Sequence, residues 1–166
     1  LIADISRNGG LSPALLALNN AFAEELSFLT PEKAADLTGK AFMAACVGEA
    51  DALLIAFDQD AAYDNGNFRW FKARFPRFVY IDRVVVAPAA RGRGLARALY
   101  QALFDRAAGY ERVVCEVNQD PPNPASDAFH ASLGFEPVGS AVLPGAGKTV
   151  GYFCRTLSVG DSRPAK

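Results

Sequence analysis

Apolar residues recur along this chain at two different spacings, and the switches between them predict its elements. Leu15, Leu18, Phe22 and Leu26 fall at helical spacing behind Ser12-Pro13. A serine caps a helix by accepting from its first unpaired amides, and proline suits the first helical position. Thr30-Pro31 repeats the start signal, and Gly39 reads as the stop of that second helix. Leu1 to Ile5 reads as a short first strand. The apolar runs 41–47 and 52–57 flank Gly48-Glu49-Ala50-Asp51 and predict a β-hairpin. Residues 78–86 form a strand ending in three β-branched valines, which Ala87-Pro88 terminates because proline has no N–H for a ladder. Leu95, Leu99, Ala102 and Leu103 then mark a helix, with Gly109 after it.

Residues 112–117 predict the next strand, with Val113, Cys115 and Val117 on one face and Val114 and Glu116 on the other. Asn123-Pro124 opens a helix whose buried side is marked by Phe129 and Leu133 and whose end is Gly134. Strands at 135–142 and 149–157 are expected to pair as an antiparallel hairpin around a turn at 145–147, and the polar stretch 158–166 is expected to be a flexible tail. The strand–turn–helix–strand order over 78–117 fits two parallel strands joined by a right-handed crossover. The one irregular segment is 58–78, where Tyr63, Phe68, Trp70, Phe71, Phe75 and Phe78 interleave with Arg69, Lys72, Arg74 and Arg77. It reads as a wall of an acceptor pocket or a dimer contact; the alternative is a surface loop tucked over the core. If it lines a pocket, its cations suit an acceptor bearing a carboxylate or phosphate.

Composition narrows the function. A chain of 166 residues, 51% hydrophobic, is expected to fold as a single domain over 1–166. A net charge of −1 argues against a general polyanion or nucleic-acid binder. No apolar run approaches the ~20 residues of a membrane span. Cys46, Cys115 and Cys154 lie in apolar runs without metal-ligand spacing and read as buried thiols of a reducing cytosol. With a single histidine, no metal site is expected.

The richest stretch is Arg91-Gly92-Arg93-Gly94-Leu95-Ala96-Arg97, between a strand and a helix. A helix N-terminus presents unpaired amides and the positive end of the helix dipole, so it suits a phosphate, and the glycines let an anion approach the backbone. It is not a Walker loop, since GxxxxGK[ST] is absent. It is not a dinucleotide fingerprint either, since Arg97 stands where the third glycine belongs.

The stretch resembles the pyrophosphate loop, [QR]-x-x-G-x-[GA], of the GCN5-related N-acetyltransferase (GNAT) superfamily, with Arg91, Gly94 and Ala96 in the fixed places. Val84-Val85-Val86-Ala87-Pro88 fits the V-x-V-x-P pattern before it. Asn123 to Phe135 resembles the superfamily's N-x-x-A-x-x-x-Y-x-x-x-G-F, with Asn123, Gly134 and Phe135 matching, Ser126 at the alanine and His130 at the tyrosine. The resemblance covers about 80–135. It implies a mixed α/β fold with a central, mostly antiparallel sheet flanked by helices and splayed where acetyl-CoA enters. It also implies direct acetyl transfer from acetyl-CoA to a primary amine of a small molecule or peptide, without a covalent enzyme intermediate or a metal.

By the same resemblance the backbone of Val84, Val85 and Val86 pairs with the pantetheine arm, and an N–H near Val85 or Val86 steadies the oxyanion. The amides from Gly92 to Arg97 hold the pyrophosphate, Arg93 and Arg97 pair with phosphates, and Asn123 belongs to the cofactor set. His130, in place of the tyrosine, would protonate the leaving thiolate, with Asp127 orienting its ring and favouring the charged form. Its bland alternative is a structural residue on a helix flank. Glu116 stands where the branch resembling ribosomal-protein N-terminal acetyltransferases keeps its general base, although Pro121-Pro122 lengthen the following loop. Asp82 is the rival base, and either carboxylate could instead be paired with an arginine. Homodimers are common in the superfamily. The rival reading is a non-catalytic acyl-CoA-binding or regulatory domain on the same fold, and a third is a nucleic-acid module using the aromatic, basic segment.

Overall fold

The computed structural model describes residues 1–143 and 147–157. The expected tail at 158–166 and most of the expected 145–147 turn lie outside them. The strands are β1 (Ile2–Asp4), β2 (Met43–Val47), β3 (Ala52–Asp58), β4 (Val79–Val86), β5 (Arg112–Asn118), β6 (Glu136–Leu143) and β7 (Lys148–Thr156). The helices are α1 (Pro13–Ala21), α2 (Ala23–Leu26), α3 (Pro31–Lys40), α4 (Gly66–Lys72), α5 (Leu95–Arg106) and α6 (Pro124–Ser132). The hydrogen-bonded strand order is β1-β2-β3-β4-β5-β7-β6. The β1–β2, β2–β3, β5–β7 and β6–β7 pairs are antiparallel. The β4–β5 pair is parallel, with its register confined to Val79↔Val113 and Tyr80↔Val114. This is the mixed, mostly antiparallel α/β architecture that the resemblance implied.

The chain forms two compact units, one from Leu1–Ala62 and Ile81–Arg106, the other from Tyr63–Tyr80 and the chain beyond Ala107. In the first, β2 and β3 are almost wholly buried, as strands apolar on both faces must be. Arg106 near the end of α5 pairs with Asp4 of β1 at 2.8 Å. Ser6 donates its amide and hydroxyl to the Asp4 carboxylate, which, with Arg106, lowers that pKa to about 2. The helix expected from Leu15 through Leu26 is broken at Phe22 (φ −117°, ψ 33°) into α1 and α2. Asn19 and Asn20 explain the break, because their carboxamides fasten the returning chain at Ser27 and Leu29. Gly39 does not stop α3, which runs on to Lys40 and closes at Ala41.

In the second unit the segment expected to be irregular carries α4, capped by Asn65 accepting from the amides of Asn67 and Phe68. Phe68, Phe71 and Phe78 are core side chains rather than a pocket wall or dimer face: each is at most 1% exposed. Phe68 and Phe71 pack edge-on or tilted against Tyr80. Three of the interleaved cations are used locally. Arg74 lies 3.8 Å over Trp70, Arg77 4.8 Å over Tyr110, and Arg69 pairs with Asp64.

Candidate active site

In the first unit, β4 leads through a single 3₁₀ turn, Pro88–Ala90, into the Gly-rich turn and α5. Gly92 (φ 80°) and Gly94 (φ 72°) both occupy the left-handed region, and a Cβ on either would meet nothing within 4 Å. Glycine is required here by backbone conformation, and the space around it is open. The first α5 bond runs from the Ala98 amide to the Gly94 carbonyl at 3.0 Å, so the amides of Leu95, Ala96 and Arg97 precede the helical ladder. Arg91, Arg93 and Arg97 are exposed, and Arg93 makes a loose 3.6 Å pair with Asp51. This is a fit for a diphosphate: helix-start amides, the positive helix end and exposed cations at an open, glycine-lined turn. Val85 is buried while Val84 and Val86 are half-buried, so the strand entering the turn alternates.

Asp82, the rival base, is an ion-pair partner. Its Oδ2 accepts from Arg83 Nε at 2.8 Å, with both side chains at most 5% exposed. Arg83 in turn donates to Asn19 Oδ1 at 2.9 Å. The carboxylate is therefore bound into the polar network that fixes the α1–α2 break.

The second unit holds Glu116, Asn123 and His130. Glu116 on β5 is half-buried and accepts a 2.7 Å hydrogen bond from the Tyr80 hydroxyl. Opposite it on β7, Tyr152 donates instead to Asn67 Oδ1 at 2.8 Å and stacks 4.1 Å from Trp70. Burial, with the nearby Glu116 charge, raises the Tyr152 pKa, so its phenol keeps the proton that it donates. Asn123 caps α6, its Oδ1 accepting from the Ser126 amide at 3.1 Å.

His130 is buried, packed edge-on against Phe129 and Phe135 and stacked on Phe153. Its Nδ1 lies 2.8 Å from the Ser126 carbonyl oxygen, which fixes the Nδ1–H tautomer. Ser126, not Asp127, thus orients the ring; Asp127 Oδ1 has no hydrogen-bond partner. Burial pushes the His130 pKa below 6.5, outweighing the upward pulls of the Ser126 carbonyl and the Asp127 charge. The expectation that Asp127 keeps the ring charged is corrected: desolvation wins and the ring is neutral at pH 7. Leu133, the C-cap of α6, is buried as expected, but its buried companion is His130 rather than the half-exposed Phe129.

Sequence reasoning did not single out Tyr80, Asn67 or Tyr152. Tyr80 and Tyr152 read as ordinary core residues by pattern, and Asn67 lies in the segment that looked irregular; only the tertiary fold brings their polar ends to Glu116 or to one another. Among the described residues there is no cluster of side chains fit to hold a metal ion, and no helix long and apolar enough to cross a membrane.

Comparison with known proteins bears on the family and the fold. An L-2,4-diaminobutyric acid acetyltransferase of Nocardia farcinica is 38% identical over 64 residues, a stretch that is 39% of this chain and 33% of that protein. The match thus spans about a third of the curated relative's length. The structure of smu.2055 from Streptococcus mutans UA159 superposes with a TM-score of 0.72 at 16% identity, covering 95% of this chain and 99% of that one. An aminoglycoside 6'-N-acetyltransferase complexed with coenzyme A superposes with a TM-score of 0.67 at 16% identity, covering 99% of each chain. At that identity the structural likenesses speak for the fold alone. The family model of the Acetyltransferase (GNAT) family matches residues 19–135, most of the chain and both motif regions, and the chain therefore belongs to the GNAT acetyltransferase family.

Proposed function

We propose that this protein is an N-acetyltransferase that uses acetyl-CoA to acetylate a primary amine of a small molecule or peptide. The observation that carries the reading is the Gly92–Gly94 turn, which sets three helix-start amides ahead of the α5 ladder beside exposed arginines. Family membership and the diaminobutyric acid acetyltransferase relative support an amine acceptor. Acetyl-CoA supplies the acetyl group as a thioester, whose carbonyl carbon is open to attack by an uncharged amine.

The chain's own residues have separate tasks. The amides from Gly92 to Arg97 hold the diphosphate, and Arg93 exchanges its loose pairing with Asp51 for a phosphate. The backbone of Val84 to Val86 carries the pantetheine arm as an added strand, and an amide near Val85 or Val86 stabilises the developing oxyanion. Glu116 takes the proton that the acceptor ammonium must lose, directly or through a water. Asp82, bound to Arg83, is the weaker candidate for that task. His130 at neutral pH is an uncharged imidazole whose Nδ1–H is engaged by Ser126, so as a donor to the thiolate it acts only in its protonated fraction.

That burial of His130 favours a second reading, acyl-CoA binding without turnover. Two measurements separate the readings: acetyl-CoA binding by calorimetry, and thiol release across a panel of amines. Binding together with release on at least one amine is expected. Gly94→Val should weaken acetyl-CoA binding at least about tenfold, since a branched side chain disfavours the left-handed backbone that the turn requires. A folded protein that does not bind acetyl-CoA overturns both readings. Binding without release on any amine supports the second.

A further inference from the structure

We propose that Tyr80 is a positioning residue for the general base: its hydroxyl, donated to Glu116 Oε2, fixes the direction of the carboxylate and favours its ionised state. The inference rests on the reading of Glu116 as base and names a second residue on which that base depends. Tyr80 is fully buried at the start of β4, one residue beyond Val79 in the parallel register with β5. Its ring is held by Phe68 and Phe71, centroids 5.7 and 5.9 Å away, so the hydroxyl has little freedom. A phenol locked by aromatic packing at 2.7 Å from a half-buried carboxylate oxygen is a preorganised donor.

The other groups around Glu116 sharpen the assignment. Tyr152, across the β5–β7 register, spends its proton on Asn67. Its raised pKa keeps it neutral beside the carboxylate, and Arg74 on the α4 side acts on Tyr152 in the opposite sense. Cys115, adjacent on β5, is also held protonated by burial and by the Glu116 charge. These two neighbours are therefore neutral, whereas the Tyr80 O–H points at the carboxylate. A hydrogen bond to the charged form favours that form. The carboxylate stays available to accept the ammonium proton: the N–H bond breaks, its electron pair remains on nitrogen for attack, and the proton moves to Glu116.

The test uses the whole chain, with Tyr80→Phe, Glu116→Gln and the double variant. Side-chain carboxyl NMR titration reads the Glu116 pKa without requiring any activity. Tyr80→Phe is expected to raise it by about one unit. With an amine found by thiol release, the acidic limb of kcat/KM should move up by the same amount. That is a loss of about tenfold at pH values below the wild-type limb, converging toward wild type above it. Tyr80→Phe should have no further effect in the Glu116→Gln background, and acetyl-CoA affinity should be unchanged in both single variants. An unmoved Glu116 titration in a folded Tyr80→Phe protein overturns the proposal, as does a loss of activity equal at all pH values. Full activity of Glu116→Gln instead removes Glu116 as base, a separate failure that falls on the functional reading. If Tyr80→Phe does not fold, Tyr80→Trp and Tyr80→His titrated in the same way must both displace the Glu116 pKa, or the proposal fails.

Discussion

The Gly-rich turn before α5 and the aromatic cluster around Trp70 are built on opposite principles. In the turn, the proposed cofactor role rests on the backbone. Two glycines at positive φ set the amides of Leu95 to Arg97 ahead of the α5 ladder, and an added Cβ at Gly92 or Gly94 would touch nothing. In the cluster, position comes from side-chain packing, with hydrogen bonds from Arg74 to the Trp70 carbonyl and from Tyr152 to Asn67. Trp70 stacks on Tyr152 with the Arg74 guanidinium 3.8 Å over its ring, and a Cβ on Gly139 would fall 2.5 Å from Trp70 Cζ2. Gly139 follows the irregularity in the β6–β7 register, where the strand makes room for the indole. Gly92 and Gly94 are needed for their own torsion angles, Gly139 for its neighbour's volume.

The strongest challenge to this division is a long-range polar network in the same unit as the turn. Asp82→Ala would leave the Arg83 guanidinium buried and unpaired, so it should cost about 3–5 kcal/mol in urea unfolding. A cost below about 1 kcal/mol would mean that the ion pair contributes nothing structural and would return Asp82 to the list of candidate bases.

The two glycines then sharpen the comparison. Gly139→Ala should cost about 1–3 kcal/mol by overpacking and change the emission of Trp70, the single tryptophan. Gly94→Ala should cost about 1–2 kcal/mol from torsional strain and leave that emission unchanged. Equal fluorescence responses in the two variants would erase the distinction.

The smallest effect concerns His130. Its folded pKa is lowered, so between that value and the ordinary 6.5 the unfolded chain binds more protons than the folded one. The stabilising contribution is thus complete above about pH 6.5 and is lost as pH falls below it. His130→Phe should remove that slope from the urea midpoint against pH. A wild-type midpoint that rises as pH falls through this window would mean that the buried ring is charged.

What the sequence by itself determined were the features whose cause is local. Ser12, Thr30 and Asn123 cap helices, as their type and place before proline required. Val84 to Ala96 carried both the strand–turn–helix geometry and the family resemblance, because positive φ and amide exposure depend on a few consecutive residues. Only the tertiary structure decided the rest. Residues 58–78 looked irregular because the reason for α4 is burial of Phe68 and Phe71 against Tyr80, which composition cannot announce. The break at Phe22 depends on asparagines bonding to a chain segment that returns eight and nine residues later. His130 was recognisable by position, yet its charge state followed from burial among the surrounding rings, against the pull of the Ser126 carbonyl. Protonation balances solvation against partners, and both are properties of the folded environment rather than of the residue.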